Sequence, residues 1–200
     1  MNISAIQVKE LRDITGAGFM ECKSALTEAN GNIEGAVTVL RTRGQAKAEK
    51  RAGRTTAQGL IGHYIHQGGQ VAVLVEVNCE SDFVARTDDF QTLVKEIAMH
   101  VAAANPLCTR REEVPAEDIE REKGIFRAQF EDSNKPPHII EKIVDGKLRG
   151  YYEQVVLLDQ PSIRDPKTTI GEMINAAIAK LGENITVARF ARFKVGESPS

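Results

Sequence analysis

Three sets of residues are of types that could do chemistry: the pair His63 and His66, the cysteines Cys22, Cys79 and Cys108, and the glycines of Gly16-Ala17-Gly18. The histidines are spaced to face one way on a helix, but on a strand they face opposite ways. The cysteines are odd in number, widely spaced and without a CxxC pair, which argues against a disulfide framework or a zinc ribbon and leaves them as small buried hydrophobes. Gly16-Ala17-Gly18 follows a helical pattern and runs on to Glu21 instead of a third glycine, so it is no dinucleotide fingerprint. The sequence has no GxxxxGK[ST], GxSxG, HExxH or HRD segment and no cysteine beside an obvious base. No catalytic set, metal site or cofactor is expected, and binding outranks catalysis.

Composition narrows the binding role. At 200 residues the chain suits one domain, or a small domain with a modest one. Its 42% hydrophobic and 27% charged residues are near the soluble globular average, and 26 basic against 28 acidic residues give no nucleic-acid footprint over the whole chain. The longest apolar stretch, Val71 to Val75, cannot span a bilayer. Lys9, Glu10, Arg12 and Asp13 rule out a signal or transit peptide in the first residues, so cytoplasm is the expected location.

The elements that must position any site follow from periodicity. Ile6, Val8, Leu11 and Ile14 mark a first helix, and Met20, Cys22, Ala25, Leu26 and Ala29 a second that ends at Asn30-Gly31. Asn32 can cap a third, with Ile33, Ala36, Val37 and Leu40 on one face and Gly44 as its stop. Gly59 to His66 and Val71 to Asn78, joined by Gln67-Gly68-Gly69-Gln70, predict a β-hairpin with the odd-numbered valines on its core face. A helix capped by Thr87 or Asp88 carries Phe90, Leu93, Val94, Ile97, Ala98 and Val101 and ends at Asn105-Pro106. The acidic run Glu112 to Glu122 reads as a solvated helix start. Pro136-Pro137 precedes a helix with Ile139, Ile140, Ile143 and Val144 that could run through Gly146 and Gly150. A last helix, Ile170 to Leu181, ends at Gly182. Ile185 to Val195 is a strand that must pair with the hairpin. The expected class is α+β: a three-helix domain over 1–44, a basic linker over 45–56, and a core over 57–200 with a small antiparallel sheet of about three strands.

The basic segment holds Arg41, Arg43, Lys47, Lys50, Arg51 and Arg54 against Glu49 alone. It reads first as a solvated linker or exposed helix, and second as a docking stripe for an acidic partner or RNA. No aromatic interleaves it, so bases have nothing to stack on.

Two segments together resemble a known family. Val8 to Leu26 with Glu28 to Glu34, and Val75-Glu-Val-Asn-Cys-Glu-Ser-Asp-Phe-Val-Ala-Arg86, are closely similar to the elongation factor Ts family. The likeness continues through Ile97 to Ala103 and, more loosely, Gly171 to Gly196. The family's usual Thr-Asp-Phe-Val stands here as Ser81-Asp82-Phe83-Val84, which keeps the hydroxyl and loses a methyl. The length is similar to short members that lack a second core subdomain and a coiled-coil insertion.

The resemblance implies a guanine-nucleotide exchange factor for elongation factor Tu, the GTPase that delivers aminoacyl-tRNA. A GTPase holds GDP through phosphate contacts and Mg²⁺, so a partner releases it by displacing the elements that order them. The resemblance makes Phe83 a wedge between helices of the G domain and places the Asp82 carboxylate near the metal's outer shell, with Ser81 and Val84 flanking. On residue type alone Asp82 reads as a cap and Phe83 as core. His100 matches a position implicated in the same contact, supporting the wedge or touching the G domain, although on residue type it reads as structural. The ubiquitin-associated-like N-terminal helices are expected to dock beside the nucleotide base region through Lys23 and the loop Gly16, Ala17, Gly18 and Phe19. Glu76 and Asn78 could contact the partner or be merely solvated. A homodimer is also expected, since a lone sheet leaves an edge and an apolar face. No membrane and no direct nucleic-acid contact are expected. The competing reading is a ubiquitin-associated-like adaptor for ribosome or RNA.

Overall fold

The computed structural model describes residues 3–130, 133 and 135–197. Among them are eight α-helices, two short 3-10 turns and one antiparallel three-stranded sheet, an α+β arrangement as expected. The chain packs as two compact units that do not follow its order: residues 1–60, 77–93 and 172–186 form one, and residues 61–76, 94–171 and 187–200 the other.

The first unit contains α1 (Ala5–Thr15), α2 (Phe19–Glu28) and α3 (Ile33–Glu49). Ser4 and Gln7 form a capping box on α1, and Gly16 ends it at φ 66°. Gly31, at φ 82°, returns its N–H to the Leu26 carbonyl at 2.8 Å, and Asn32 caps α3 by accepting from the Gly35 N–H at 2.7 Å. Val8, Leu11, Cys22, Ala25, Leu26 and Ala36 are the core of the three helices. Ile6, Ile14 and Met20, expected on that core, are instead exposed. The stripes are narrower than the hydrophobic residues suggest, because three short helices bury one thin seam each.

Gly44 does not stop α3, which runs five residues further. It is buried, and a Cβ added there would lie 3.6 Å from Ala179 of α8 (Ile170–Leu181). The missing side chain serves a helix–helix approach rather than a helix end. That extension makes the first part of the basic segment helical, and acids meet its cations: Arg41 pairs with Glu172 at 3.6 Å, Arg43 with Glu28 at 2.6 Å, Lys47 with Glu21, and Arg54 with Glu80 at 3.4 Å. Lys47 holds the Glu21 carboxyl below its ordinary range.

The sheet runs β1 (Gln58–Ile65), β2 (Val71–Cys79), β3 (Ile185–Lys194) in that order. The hairpin closes through Gly68 and Gly69, both at positive φ, and Val73, Val75 and Val77 are buried as the period of two predicts. In the second unit Gly62 of β1 lets the sheet meet α5 (Asp88–Ala104), for a Cβ there would stand 2.2 Å from Val94 Cγ1. All six apolar residues expected on the core face of α5 are buried. A helical hairpin of α6 (Ala116–Ala128) and α7 (Pro137–Val155) completes this unit. α6 buries no residue; Arg127 forks onto Glu141 at 2.8 and 2.9 Å, and Lys147 lies over the rings of Phe126 and Phe130.

Candidate partner-binding site

β2 ends at Cys79, and three residues later the chain makes one turn of helix, α4 (Asp82–Ala85). Ser81 caps it in extended conformation, its Oγ accepting from the Val84 N–H at 3.4 Å. Residues two apart on a helix point about 200° apart. Burial of Ala85 therefore turns Phe83 away from the protein, and Phe83 is 78% exposed. Val84 is half-buried and donates nothing outward: its carbonyl accepts from Thr87 Oγ1 at 2.7 Å, and Thr87 Oγ1 accepts from the Phe90 N–H to start α5. The turn is thus tied at its far end to the start of α5.

The near end is tied more heavily. The Glu183 carboxylate accepts the backbone N–H groups of Glu80 and Ser81 at 3.1 and 3.0 Å and the Ser81 hydroxyl at 2.6 Å. Beneath, the buried Cys79 thiol donates to the Ser81 carbonyl at 3.1 Å. Burial, with Glu183 nearby, pushes that thiol up from its ordinary pKa and keeps it a donor. Asp82 is more open; Arg86, one turn on, holds its carboxylate at 2.7 Å, and both side chains remain well exposed.

The other expected residues fall in two places. Lys23, Gly16, Gly18 and Phe19 are exposed and Ala17 is half-buried, and Met20 adds a second outward apolar side chain. This loop and the start of α5 belong to the same unit and share Lys180, whose Nζ lies 3.5 Å from a Cβ added at Gly16 and pairs with Asp89 at 2.7 Å. His100 lies in the other unit and is 1% exposed. Its Nε2 is 2.9 Å from Gln160 Oε1, while the Gln160 amide nitrogen donates to the Gln154 carbonyl, which assigns the ring proton to Nε2. Nδ1 has no partner, and burial lowers the pKa, so the ring is neutral. Glu76 pairs with Arg189 at 2.8 Å. His63 is exposed on β1, and His66, just past the strand, meets the Tyr64 hydroxyl at 3.1 Å through Nδ1.

Glu183 and Asn184 escape a reading of the sequence. They lie on the turn after α8, 102 and 130 residues from their contacts Ser81 and Arg54, and no local pattern marks them.

Nearly the whole chain is similar to known proteins. The family model for elongation factor Ts matches residues 7–197. Elongation factor Ts of Geobacter sulfurreducens is 55% identical over 197 residues, covering 98% of this chain and 91% of the relative. That of Fervidobacterium nodosum is 56% identical over 197 residues, covering 98% of this chain and all of the relative, and that of Caldanaerobacter subterraneus is 55% identical with 98% of each covered. With an α+β fold whose strand-end turn carries the Ser-Asp-Phe-Val segment, these matches place the chain among the translation elongation factors of protein biosynthesis. It belongs to the elongation factor Ts family, which implies nucleotide exchange on elongation factor Tu.

Proposed function

We propose that the chain releases GDP from elongation factor Tu by inserting Phe83 between helices of the G domain and bringing the Asp82 carboxylate to the outer shell of the Mg²⁺ that the GTPase holds with its nucleotide. The observation that carries the reading is a phenylalanine with 78% of its surface in water at the tip of a turn whose cap is hydrogen-bonded and whose Ala85 is buried. Exposed aromatics on a rigid support are what binding hot spots are made of. A carboxylate close to the water ligands of a metal competes for their hydrogen bonds and loosens the ion, and loss of the ion loosens the phosphates.

The rest of the site follows the same logic. The three helices of residues 1–44, through Lys23, Gly16, Ala17, Gly18 and Phe19, are the second docking point, beside the base region of the nucleotide; residues 45–56 link them to the core of 57–200, which carries Ser81, Asp82, Phe83 and Val84. His100, being buried, acts on the partner only by stiffening α5. Exchange is a coupling between two ligands, so whatever ratio the factor takes from GDP affinity, GDP takes from the factor's. No covalent bond is made or broken. The work is done in the cytoplasm, where aminoacyl-tRNA is delivered. The same chain pairs with a second copy: β1 and β3 are sheet edges, and Ile61, Ile65, Leu74 and Phe193 are exposed on the strands. Light scattering at micromolar concentration tests the pair, and a particle of 21.9 kDa alone would remove it.

The deciding experiment is release of fluorescent GDP from elongation factor Tu in Mg²⁺ with the intact chain, Phe83→Ala and Asp82→Ala. Acceleration by the intact chain that is lost in both variants is expected. Equal acceleration by all three would discard the wedge and keep the exchange role, and no acceleration by the intact chain would discard both.

A further inference from the structure

The turn that carries Phe83 is held by side chains from the α8–β3 connection, and they lock each other. Glu183 takes the N–H groups of Glu80 and Ser81 and the hydroxyl of Ser81. Glu80 returns the favour with its own carboxylate, which accepts the Asn184 N–H at 2.7 Å and faces Arg54 at 3.4 Å. The Asn184 side chain, 3% exposed, then donates to the Arg54 carbonyl at 2.9 Å. Two adjacent residues of one loop and two of another therefore exchange carboxylates, and the linker residue Arg54 closes the ring. All of it lies within the first unit.

We infer that Glu183 is a positioning residue for exchange: by holding both backbone N–H groups and the capping hydroxyl at the root of α4, it fixes the direction in which Phe83 and Asp82 are presented. This rests on the wedge reading above. The chemistry suits the task better than packing would. Ser81 Oγ can cap the Val84 N–H only from one rotamer, and its proton goes to Glu183 Oε1, so a single carboxylate sets the serine rotamer and the two peptide planes before it. A ring with 78% of its surface exposed gains little from the fold to aim it. Without the carboxylate the ring would sample many directions, and each binding event would need to order it again. A hydroxyl is needed at position 81, whereas its methyl is not.

The test uses the full chain and elongation factor Tu loaded with fluorescent GDP, titrating the factor to separate the saturating release rate from the half-saturating concentration. Glu183→Ala is expected to lower the saturating rate at least about tenfold, as misplacement of a group by about an ångström does in other sites. Thermal unfolding on the same samples reports the fold. Glu183→Gln keeps one acceptor and carries the test if Glu183→Ala does not fold. Ser81→Ala should lose most of the rate and Ser81→Thr should retain it. In the Phe83→Ala background, removing Glu183 should cost less than it does in the parent, since only the Asp82 carboxylate is left to aim. If Phe83→Ala impairs release and Glu183→Ala and Glu183→Gln change only the unfolding temperature, Glu183 is merely structural and the inference falls. If Phe83→Ala itself leaves release untouched, the wedge reading fails, and this inference with it.

Discussion

Phe83 and Phe90 are seven residues apart and could hardly differ more. Phe83 stands on a single turn of helix with 78% of its surface exposed, while Phe90, in the first turn of α5, is fully buried and among the largest side chains to be so. Phe90 is where the hydrophobic effect puts such a residue. Phe83 is held out of the core by hydrogen bonds of the backbone around it, its own carbonyl accepting from the Arg86 N–H at 3.3 Å, while its ring makes none. One stretch of chain thus separates two duties: α5 supplies the stability, and the turn before it carries a side chain the fold does not use.

The sharpest way to break this comparison is to truncate both rings. Phe90→Ala should lower stability by about 3–5 kcal/mol in denaturant unfolding. Phe83→Ala should leave stability within about 0.5 kcal/mol of the parent and lose at least about tenfold in GDP release, the ~1.4 kcal/mol or more expected of an anchor. A large stability loss in Phe83→Ala would end the separation of duties.

A third substitution tests the buried side alone. Gly62→Ala forces a Cβ against Val94 Cγ1 and, at 3.4 Å, Val75 Cγ1, and overpacking of this kind costs about 1–3 kcal/mol. Its saturating exchange rate should be that of the parent at temperatures where it is folded.

His100 adds a pH signature to the buried side. Burial lowers its folded pKa, so the unfolded chain takes up the proton first as pH falls. Its contribution is complete above the ordinary histidine range, about 6.5, and is lost as pH falls below that toward the folded value. The unfolding temperature of the parent should therefore drop more steeply than that of His100→Gln on acidification from neutrality. Parallel curves would mean that the ring is not buried neutral.

The smallest effect belongs to the open side. Arg86 and Asp82 are exposed by 76% and 47%, and such pairs contribute about 0–1 kcal/mol. Arg86→Gln should barely move the unfolding temperature, and because it frees the Asp82 carboxylate it should not slow GDP release. A large loss of release would make Arg86 a contact of its own.

What the sequence makes legible is what repeats. The valines of β2 and the six apolar residues of α5 announce their burial by period, and Asn32 and Gly182 mark helix ends by type. Gly44 misleads because glycine at a helix end and glycine at a helix–helix approach look alike until the partner helix is seen. Ile6, Ile14 and Met20 mislead because hydrophobicity alone does not say how wide a seam three short helices close. The basic run of residues 41–54 shows its charges but not the acids at 21, 28, 80 and 172 that answer four of them. Ser81 to Val84 stand out only through resemblance; by type alone Phe83 would be core. Glu183 is invisible, because hydrogen bonds between distant loops leave no periodic trace.

The ring of bonds among Arg54, Glu80, Ser81, Glu183 and Asn184 also has a consequence in time. The bonds that tie residues 183 and 184 to the rest of it span 102 to 130 residues. During synthesis the N-terminal helices and the hairpin emerge and can fold early, and Asp82 and Phe83 emerge with them. A nascent or truncated chain that stops short of residue 183 carries the phenylalanine without the carboxylate that holds the root of its turn. If Glu183 positions the turn as inferred, such a fragment would be a poor competitor for the GTPase, and the turn would become competent only once the residues after the last helix are made.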